Sequence, residues 1–295
     1  MNKMKTDDLS SELNKNGIEL CCSWCQSKDV ISWCNKGMKD EALKCNNCNL
    51  IYMKEMPSSE ELHAHYRNYE SSIHKANTEH TAKRQKMYNL ELNIIEPFLK
   101  KNSSILDVGC ANGDFLRLFN NLGHKCSGVE IGEESFKKSV KVFDAYHGEF
   151  PNLEINKKFD LIIFRGTIEH FLEPRLYLEK AVSLLNDSGL IFITSTPNSN
   201  SLCCELYRER WNQFHPIFHL FHFSDGLFDK FFRNHNMKNI HRSFPYLETP
   251  YSNLESDMNV VRKAIERIRN NEEIDSDSPA FFGNMMSLVY RKLNE

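Results

Sequence analysis

Residues 105–116 read ILDVGCANGDFL, and they set the architecture expected for the whole chain. The aliphatic residues predict a buried strand that ends at Gly109, and an amphipathic helix is predicted after Gly113. A glycine turn between a strand and a helix lets bare backbone approach a ligand, because a Cβ there would collide with it. The N–H groups that open the helix can receive a carboxylate or a phosphate. The stretch therefore predicts an anion-binding pocket in an α/β protein.

The residues around this turn narrow the class of ligand. A dinucleotide site would have the spacing G-x-G-x-x-G, whereas this turn has G-x-x-x-G and places Asp107 at the end of the strand. Asp107 favours a ligand with a positive group. The next predicted strand, His124 to Val129, is followed by Glu130, whose carboxylate can accept both hydroxyls of a ribose. A ribose, a carboxylate and a cation together describe S-adenosylmethionine.

Four segments in order make the chain resemble class I S-adenosylmethionine-dependent methyltransferases over roughly residues 85–295. The resemblance implies an α/β fold with a Rossmann-like, seven-stranded methyltransferase sheet. The matching segments are Leu106–Gly113, Gly128–Ile131, Phe159–Phe164 with Ile168–Pro174, and Leu184–Ile193. The cofactor-binding residues that we predict are Asp107, Gly109, Cys110, Gly113, Glu130, Glu149, Phe150 and Arg165.

The dipeptide Glu169-His170 is the candidate catalytic pair. It follows the predicted buried strand 159–164, at the edge where an open α/β sheet binds its ligands. A hydroxyl or carbon acceptor must lose a proton during methyl transfer, so a base is needed there. We predict His170 as that base; in the alternative it only orients the loop. Arg165 could hold an acidic group of the substrate, or it could pair with Glu169 or Asp160.

Two C-x-x-C pairs near the amino terminus predict a metal site. Cys22 and Cys25 precede Cys45 and Cys48 by a stretch inside the roughly 15–20 residues typical of four-cysteine zinc sites. Four thiolates leave no open position on the ion, so the zinc would be structural. A module this short also needs metal ligation in order to fold. The alternative is a set of reduced structural thiols.

We predict four segments along the chain. They are a polar amino-terminal tail (1–20), a zinc ribbon (21–56), a helical connector that covers the cofactor (57–101) and a class I methyltransferase domain (102–295) with a surface insertion (253–278). The cysteine module and its continuation through Pro57–Leu62 and His65–Tyr69 resemble the zinc-binding region ahead of some bacterial methyltransferases of sugar and surface-polysaccharide pathways. This resemblance implies that Tyr66 and Tyr69 line the substrate side of the pocket, the alternative being simple packing.

A segment rich in histidine and aromatic residues, 211–224, contains His215, His219 and His222. Three histidines invite a metal site, but Pro216 interrupts the helical turn and no acidic ligand is near in sequence. We therefore expect a lid whose His219 and His222 contact the substrate. Core packing is the main alternative.

Composition limits the partners. The net charge of −3 provides no overall attraction for nucleic acid. No apolar run of about 18 residues and no signal peptide is present, so a cytoplasmic protein is expected. The predicted function is methylation of a small molecule, such as a nucleotide- or carrier-linked sugar, at oxygen or carbon. The alternatives are an RNA-base methyltransferase that grips RNA with its ribbon, and a non-catalytic binding protein with the same fold.

Overall fold

The computed structural model describes residues 20–35, 41–62, 64 and 78–294. Its first elements are three short antiparallel strands, which are β1 (Val30–Asn35), β2 (Glu41–Cys45) and β3 (Ile51–Met53). Cys22 and Cys25 lie at a turn ahead of β1, and Cys45 and Cys48 lie at the turn between β2 and β3. This arrangement brings the two cysteine turns to the same end of the small sheet.

A connector follows the small sheet. The residues 59–62 form a helical turn that Ser58 caps, since the Ser58 hydroxyl accepts the N–H of Glu61 at 3.2 Å. Helix α1 (Thr78–Ile95) then packs Tyr88 and Ile95 into the core. The helical pattern in the sequence extends to Lys101, but the α-helix ends at Ile95 because Pro97 lies in the short 3₁₀ turn that follows.

The predicted α/β fold with a seven-stranded sheet is confirmed. The order of its strands is β10-β11-β8-β7-β4-β5-β6. Neighbouring strands from β8 through β7, β4 and β5 to β6 pair in parallel, whereas β11 pairs antiparallel with both β8 and β10. The central strands are buried on both faces, as parallel strands covered by helices must be. The strands are β4 (Ser104–Val108), β5 (Lys125–Glu130), β6 (Asp144–His147), β7 (Phe159–Arg165), β8 (Leu185–Pro197), β9 (Phe221–His222, in the small sheet), β10 (Met237–Ser243) and β11 (Met285–Lys292).

Helices cover the two faces of this sheet. Helix α2 (Asp114–Asn121) begins directly after Gly113 and buries Phe115, Leu116 and Phe119, as its sequence pattern predicts. Helix α6 (Asp225–Asn234) is capped by the Ser224 hydroxyl, which accepts the N–H of Leu227 at 3.2 Å. The remaining helices are α3 (Glu133–Ser139), α4 (Pro174–Ser183), α5 (Leu202–Tyr207) and α7 (Leu254–Arg269).

The small sheet is completed by a strand from far along the chain. Strand β9 pairs antiparallel with β3, with His222 opposite Ile51 and Phe221 opposite Tyr52. Two hydrophobic clusters cover the two faces of the large sheet, and a third hydrophobic cluster lies behind this junction and includes Trp33, Trp211 and the buried Val261 of α7. The segment 253–278, expected at the surface, thus contributes one buried stripe to the core. Within the described residues, no helix has both the length and the apolar character that a bilayer crossing requires.

Candidate functional site

A cavity of about 720 Å³ opens at the carboxyl ends of the parallel strands β4, β5 and β7. This is the edge at which open α/β sheets bind their ligands. The turn after β4 and Glu130, the last residue of β5, line one end of the cavity. The loop after β7 and the segment before β9 line the other end.

The glycine turn after β4 has the backbone conformation that requires glycine. Gly109 has a φ of +83°, and a Cβ there would lie 2.6 Å from the methyl carbon of Thr167. Gly113 has a φ of +77°, and its Cβ would lie 2.5 Å from the Phe143 ring. Gly109 and Cys110 line the cavity, whereas Gly113 is not among the described residues that do so. Gly113 therefore shapes the turn through packing against Phe143.

Asp107 faces this end of the cavity without a partner for one of its oxygens. The carboxyl is buried, and Oδ1 accepts no hydrogen bond from the described residues. Burial raises the pKa of Asp107 to about 7, although the nearby Arg165 acts in the opposite direction. An unpaired buried carboxylate oxygen is costly, so a ligand that brings a cation or a hydrogen-bond donor would be favoured here.

Glu130 joins the two loops at the same end. Its Oε2 accepts the N–H of Ala111 at 2.8 Å and its Oε1 accepts the N–H of Gly132 at 2.7 Å. Each carboxylate oxygen can accept a second hydrogen bond. The two backbone contacts therefore orient Glu130, and both of its oxygens can still accept a hydrogen bond from a ligand hydroxyl. Glu149 and the buried Phe150 line the cavity next to it.

The two ionic partners predicted for Arg165 are wrong. Arg165 pairs with Glu91 of α1 at 2.5 Å, and its guanidinium lies over the Tyr88 ring at 4.4 Å from the ring centre. Asp160 instead accepts bonds from Ser104 and Asn186. Sequence reasoning missed Glu91, although a single acid on an apolar stretch of α1 was a signal. Arg165 also lines the cavity. Its direct contact with a ligand stays a prediction.

Glu169 and His170 lie together at the other end. The Glu169 carboxyl is buried beside the hydroxyl of Thr196, 3.5 Å from Oε2, and burial raises its pKa to about 8. His170 Nδ1 donates to the carbonyl of Phe218 at 2.7 Å, and burial lowers the pKa of this imidazole to about 4. Desolvation therefore disfavours the charged form of both side chains.

The histidines of the 211–224 segment are separated by the fold. His215 and His219 line the cavity, and His219 Nδ1 donates to the carbonyl of Gln213 at 2.7 Å. His222 lies in the core instead, fully buried between the rings of Trp211 and Phe214. The predicted substrate contact of His222 is therefore wrong, because β9 directs this side chain into the third hydrophobic cluster.

The four predicted zinc ligands converge. The Sγ atoms of Cys22 and Cys48 are 3.5 Å apart, those of Cys25 and Cys45 are 3.6 Å apart, and all four lie within 4.8 Å of one another. Thiolates about 2.3 Å from one zinc ion would have similar spacings. Cys21 is directed elsewhere, toward the side chain of Gln26. The arrangement fits a four-thiolate metal site.

The connector also reaches the cavity. Tyr66 and Tyr69, predicted to line its substrate side, lie outside the described residues. Ser59 and Leu62 line it, together with Arg84 and Tyr88 of α1. Arg84 lies four residues before Tyr88, a spacing that places both side chains on the cavity side of the helix.

Comparison with known proteins agrees with this geometry. A family described as "Methyltransferase domain" matches residues 79–244. The chain is 30% identical over 116 residues to the tRNA U34 carboxymethyltransferase of Campylobacter hominis, which covers 35% of this chain and 40% of that protein. It is 26% identical over 102 residues to the ubiquinone biosynthesis O-methyltransferase of Pelagibacter ubique, and the matched region covers 32% of this chain and 42% of that protein. The chain thus spans about two fifths of the length of these curated relatives.

Solved structures share the fold. The YcgJ protein from Bacillus subtilis superposes with a TM-score of 0.50 at 15% sequence identity, covering 70% of this chain and 100% of that one. At this identity the likeness establishes the architecture of the sheet and its helices.

Proposed function

The chain belongs to the methyltransferase-domain family, and we propose that it transfers a methyl group from S-adenosylmethionine to a small-molecule acceptor. One observation carries the proposal. A single cavity joins the glycine turn and Glu130 at one end to Glu169 and His170 at the other. A cofactor and an acceptor bound in the same cavity can be held in line, which is the main demand of a displacement at a sulfonium carbon.

The residues at the turn fit this cofactor. When bound, S-adenosylmethionine supplies an activated methyl group that carries its own leaving group. Glu130, oriented by two backbone N–H groups, would accept the ribose hydroxyls. Asp107, with one buried oxygen unpaired among the described residues, would receive the positive end of the ligand. Glu149 and Phe150 would lie beside the adenine, and Gly109 and Cys110 would lie against the ligand.

At the acceptor end, His170 is the group that we assign to proton removal. A carbonyl only accepts hydrogen bonds, so the contact with Phe218 places the proton on Nδ1 and a lone pair on Nε2. Because burial lowers its pKa to about 4, the ring is neutral at physiological pH and can accept a proton, although it is a weaker base than a solvated imidazole. Glu169, buried beside the Thr196 hydroxyl, would hold the loop in position.

The acceptor class that we propose is a nucleotide- or carrier-linked sugar, methylated at oxygen or carbon. The support is the sequence resemblance of the cysteine module to that of sugar-pathway methyltransferases. RNA is a second candidate, because one relative is named a tRNA U34 carboxymethyltransferase. The net charge of −3 weighs against RNA, since phosphate backbones are bound mainly by cationic surfaces. A third possibility, a non-catalytic binding protein, does not account for Asp107 and Glu130 at the cavity.

Labelled cofactor tests the proposal. The purified protein is incubated with methyl-labelled S-adenosylmethionine and a panel of nucleotide sugars, hydroxylated small molecules and transfer RNA. We expect label in a small-molecule product, lost in His170→Gln but retained in the control His235→Gln, which alters a histidine at the end of α6. Affinity for adenosylhomocysteine should be the same in both variants. A wild-type protein that binds neither S-adenosylmethionine nor its product would refute the proposed activity.

A further inference from the structure

Three potential metal ligands meet at the acceptor end of the cavity. One ligand atom from each of Glu169, His170 and His219 lies within 4.8 Å of the other two. Three ligands about 2.1 Å from one ion would be about 3 to 4 Å apart, so small side-chain rotations bring them to bonding distance. The sequence showed no acid near His219, because Glu169 reaches it only through the fold.

Hydrogen bonds from the segment 213–220 hold this group together. The N–H of Leu220 donates to the carbonyl of Glu169 at 2.9 Å, which ties the two loops together directly. The carbonyls of Phe218 and Gln213 receive the Nδ1 protons of His170 and His219, each at 2.7 Å. The two imidazole rings consequently stand with their centres 4.9 Å apart, at 70° to one another.

These contacts determine the form of both rings. With Nδ1 protonated, each neutral imidazole has its lone pair on Nε2, the atom that can ligate a metal. Histidine ligands in metalloproteins generally donate their other ring N–H to a carbonyl or a carboxylate, which sets the tautomer and the ring orientation. His170 and His219 both have this second contact.

We propose that Glu169, His170 and His219 bind one divalent first-row transition-metal ion at the acceptor end of the cavity. Two imidazoles and one carboxylate suit such ions better than magnesium or calcium, which prefer oxygen ligands throughout. Three protein ligands leave positions open for the acceptor. This site is distinct from the four-cysteine cluster, whose thiolates are a closed set.

The inference rests on the proposed function and narrows its acceptor to a hydroxyl compound. An ion at this place would polarise the acceptor hydroxyl and lower its pKa. His170 would then hold the ion, and this replaces the role of proton acceptor that it has in the proposed function without a metal. The O–H bond breaks and the proton leaves to solvent. The electron pair of the oxygen forms the new bond to the methyl carbon, while the pair of the broken C–S bond stays on sulfur as a neutral thioether.

Manganese binding tests the site directly. The full chain is first given about one equivalent of zinc and any free zinc is removed, since four soft thiolates take that zinc in preference to two imidazoles and a carboxylate. Mn²⁺ is then titrated, and the free ion is measured by electron paramagnetic resonance. We expect about one bound Mn²⁺ per wild-type chain. His219→Gln and Glu169→Gln, which preserve side-chain volume, should each bind at least about tenfold more weakly.

The control is His235→Gln, because His235 Nδ1 also contacts a backbone carbonyl, that of Phe231 at 2.8 Å, but lies outside the cluster. Unchanged affinity for adenosylhomocysteine in all variants confirms that they fold. Equal Mn²⁺ binding by His219→Gln, Glu169→Gln and the control, or no binding by the wild type, overturns the metal site. A wild type that binds Mn²⁺ but not S-adenosylmethionine would support the site and refute the proposed function instead.

Discussion

Leu220 connects directly to Glu169, since its backbone N–H donates to the Glu169 carbonyl at 2.9 Å. The carbonyl of Leu220 accepts the N–H of Met53, at the end of β3, at 3.0 Å. Leu220 is fully buried, so water does not compete for these bonds. One residue therefore links the strand that follows the cysteine cluster to the loop that carries the candidate catalytic pair.

The first prediction concerns the cysteine cluster. We expect about one zinc per chain, lost in Cys45→Ser. Without the metal, the turn before β3 loosens, and the loop with Glu169 should lose its position through Leu220. Turnover should therefore fall more than cofactor affinity, which metal analysis, steady-state kinetics and calorimetry would measure. Cys21→Ser is the matched control, because that thiol contacts Gln26 instead of the cluster. Zinc-free protein with full turnover would contradict this link.

Glu130 is expected to bind the cofactor. Glu130→Ala should weaken binding of adenosylhomocysteine by roughly 1–3 kcal/mol, through lost charge-assisted hydrogen bonds. Glu130→Gln keeps one acceptor oxygen and should lose less. The control Glu133→Gln changes an exposed acid that pairs with Lys137. Titration calorimetry measures all three affinities, and equal values for Glu130→Ala and wild type would reject the ribose assignment.

The buried pair of Arg165 and Glu91 is expected to behave as a unit. Glu91 is 1% exposed, so Glu91→Leu leaves an uncompensated guanidinium and should lower the free energy of unfolding by about 3–5 kcal/mol. The double variant with Arg165→Met should recover most of this loss, because no buried charge is left alone. Urea denaturation measures the stabilities of the wild type, Glu91→Leu, Arg165→Met and the double variant. Additive losses in the double variant would show that the two side chains do not interact.

His222 is expected to make stability dependent on pH. Neither ring nitrogen has a hydrogen-bond partner among the described residues, and burial lowers the pKa to about 3 from an ordinary value of 6.5. Between pH 6.5 and about 3 the unfolded chain binds a proton at this residue that the folded chain does not, so stability falls as the pH drops through this range.

His222→Phe should therefore raise the free energy of unfolding by about 1–3 kcal/mol at pH 7, since it removes unpaired polar atoms from an aromatic core. It should also reduce the loss of stability between pH 7 and pH 5. Urea denaturation at both pH values measures this effect, with the partly exposed His235→Phe as control. A pH dependence identical to that of the wild type would contradict the assignment of His222.

Local features of the sequence were sufficient for much of this description. Positive φ at Gly109 and the spacing of the two C-x-x-C pairs depend on neighbours in the chain, so their patterns predict structure directly. Alternating strands and helices likewise predict the parallel sheet, because hydrophobic periodicity reports burial of each element. These patterns determined the fold class and the positions of Asp107 and Glu130.

The tertiary structure decided which distant side chains meet. Glu91, and not Glu169 or Asp160, pairs with Arg165, and Glu169 reaches His219 only because the loops after β7 and before β9 are hydrogen bonded. His222 is buried because β9 pairs with β3. The physical reason is that contacts between loops depend on how the two sheets pack against each other. That packing involves surfaces whose residues are far apart in sequence, and the periodicity and spacing within one segment do not encode it.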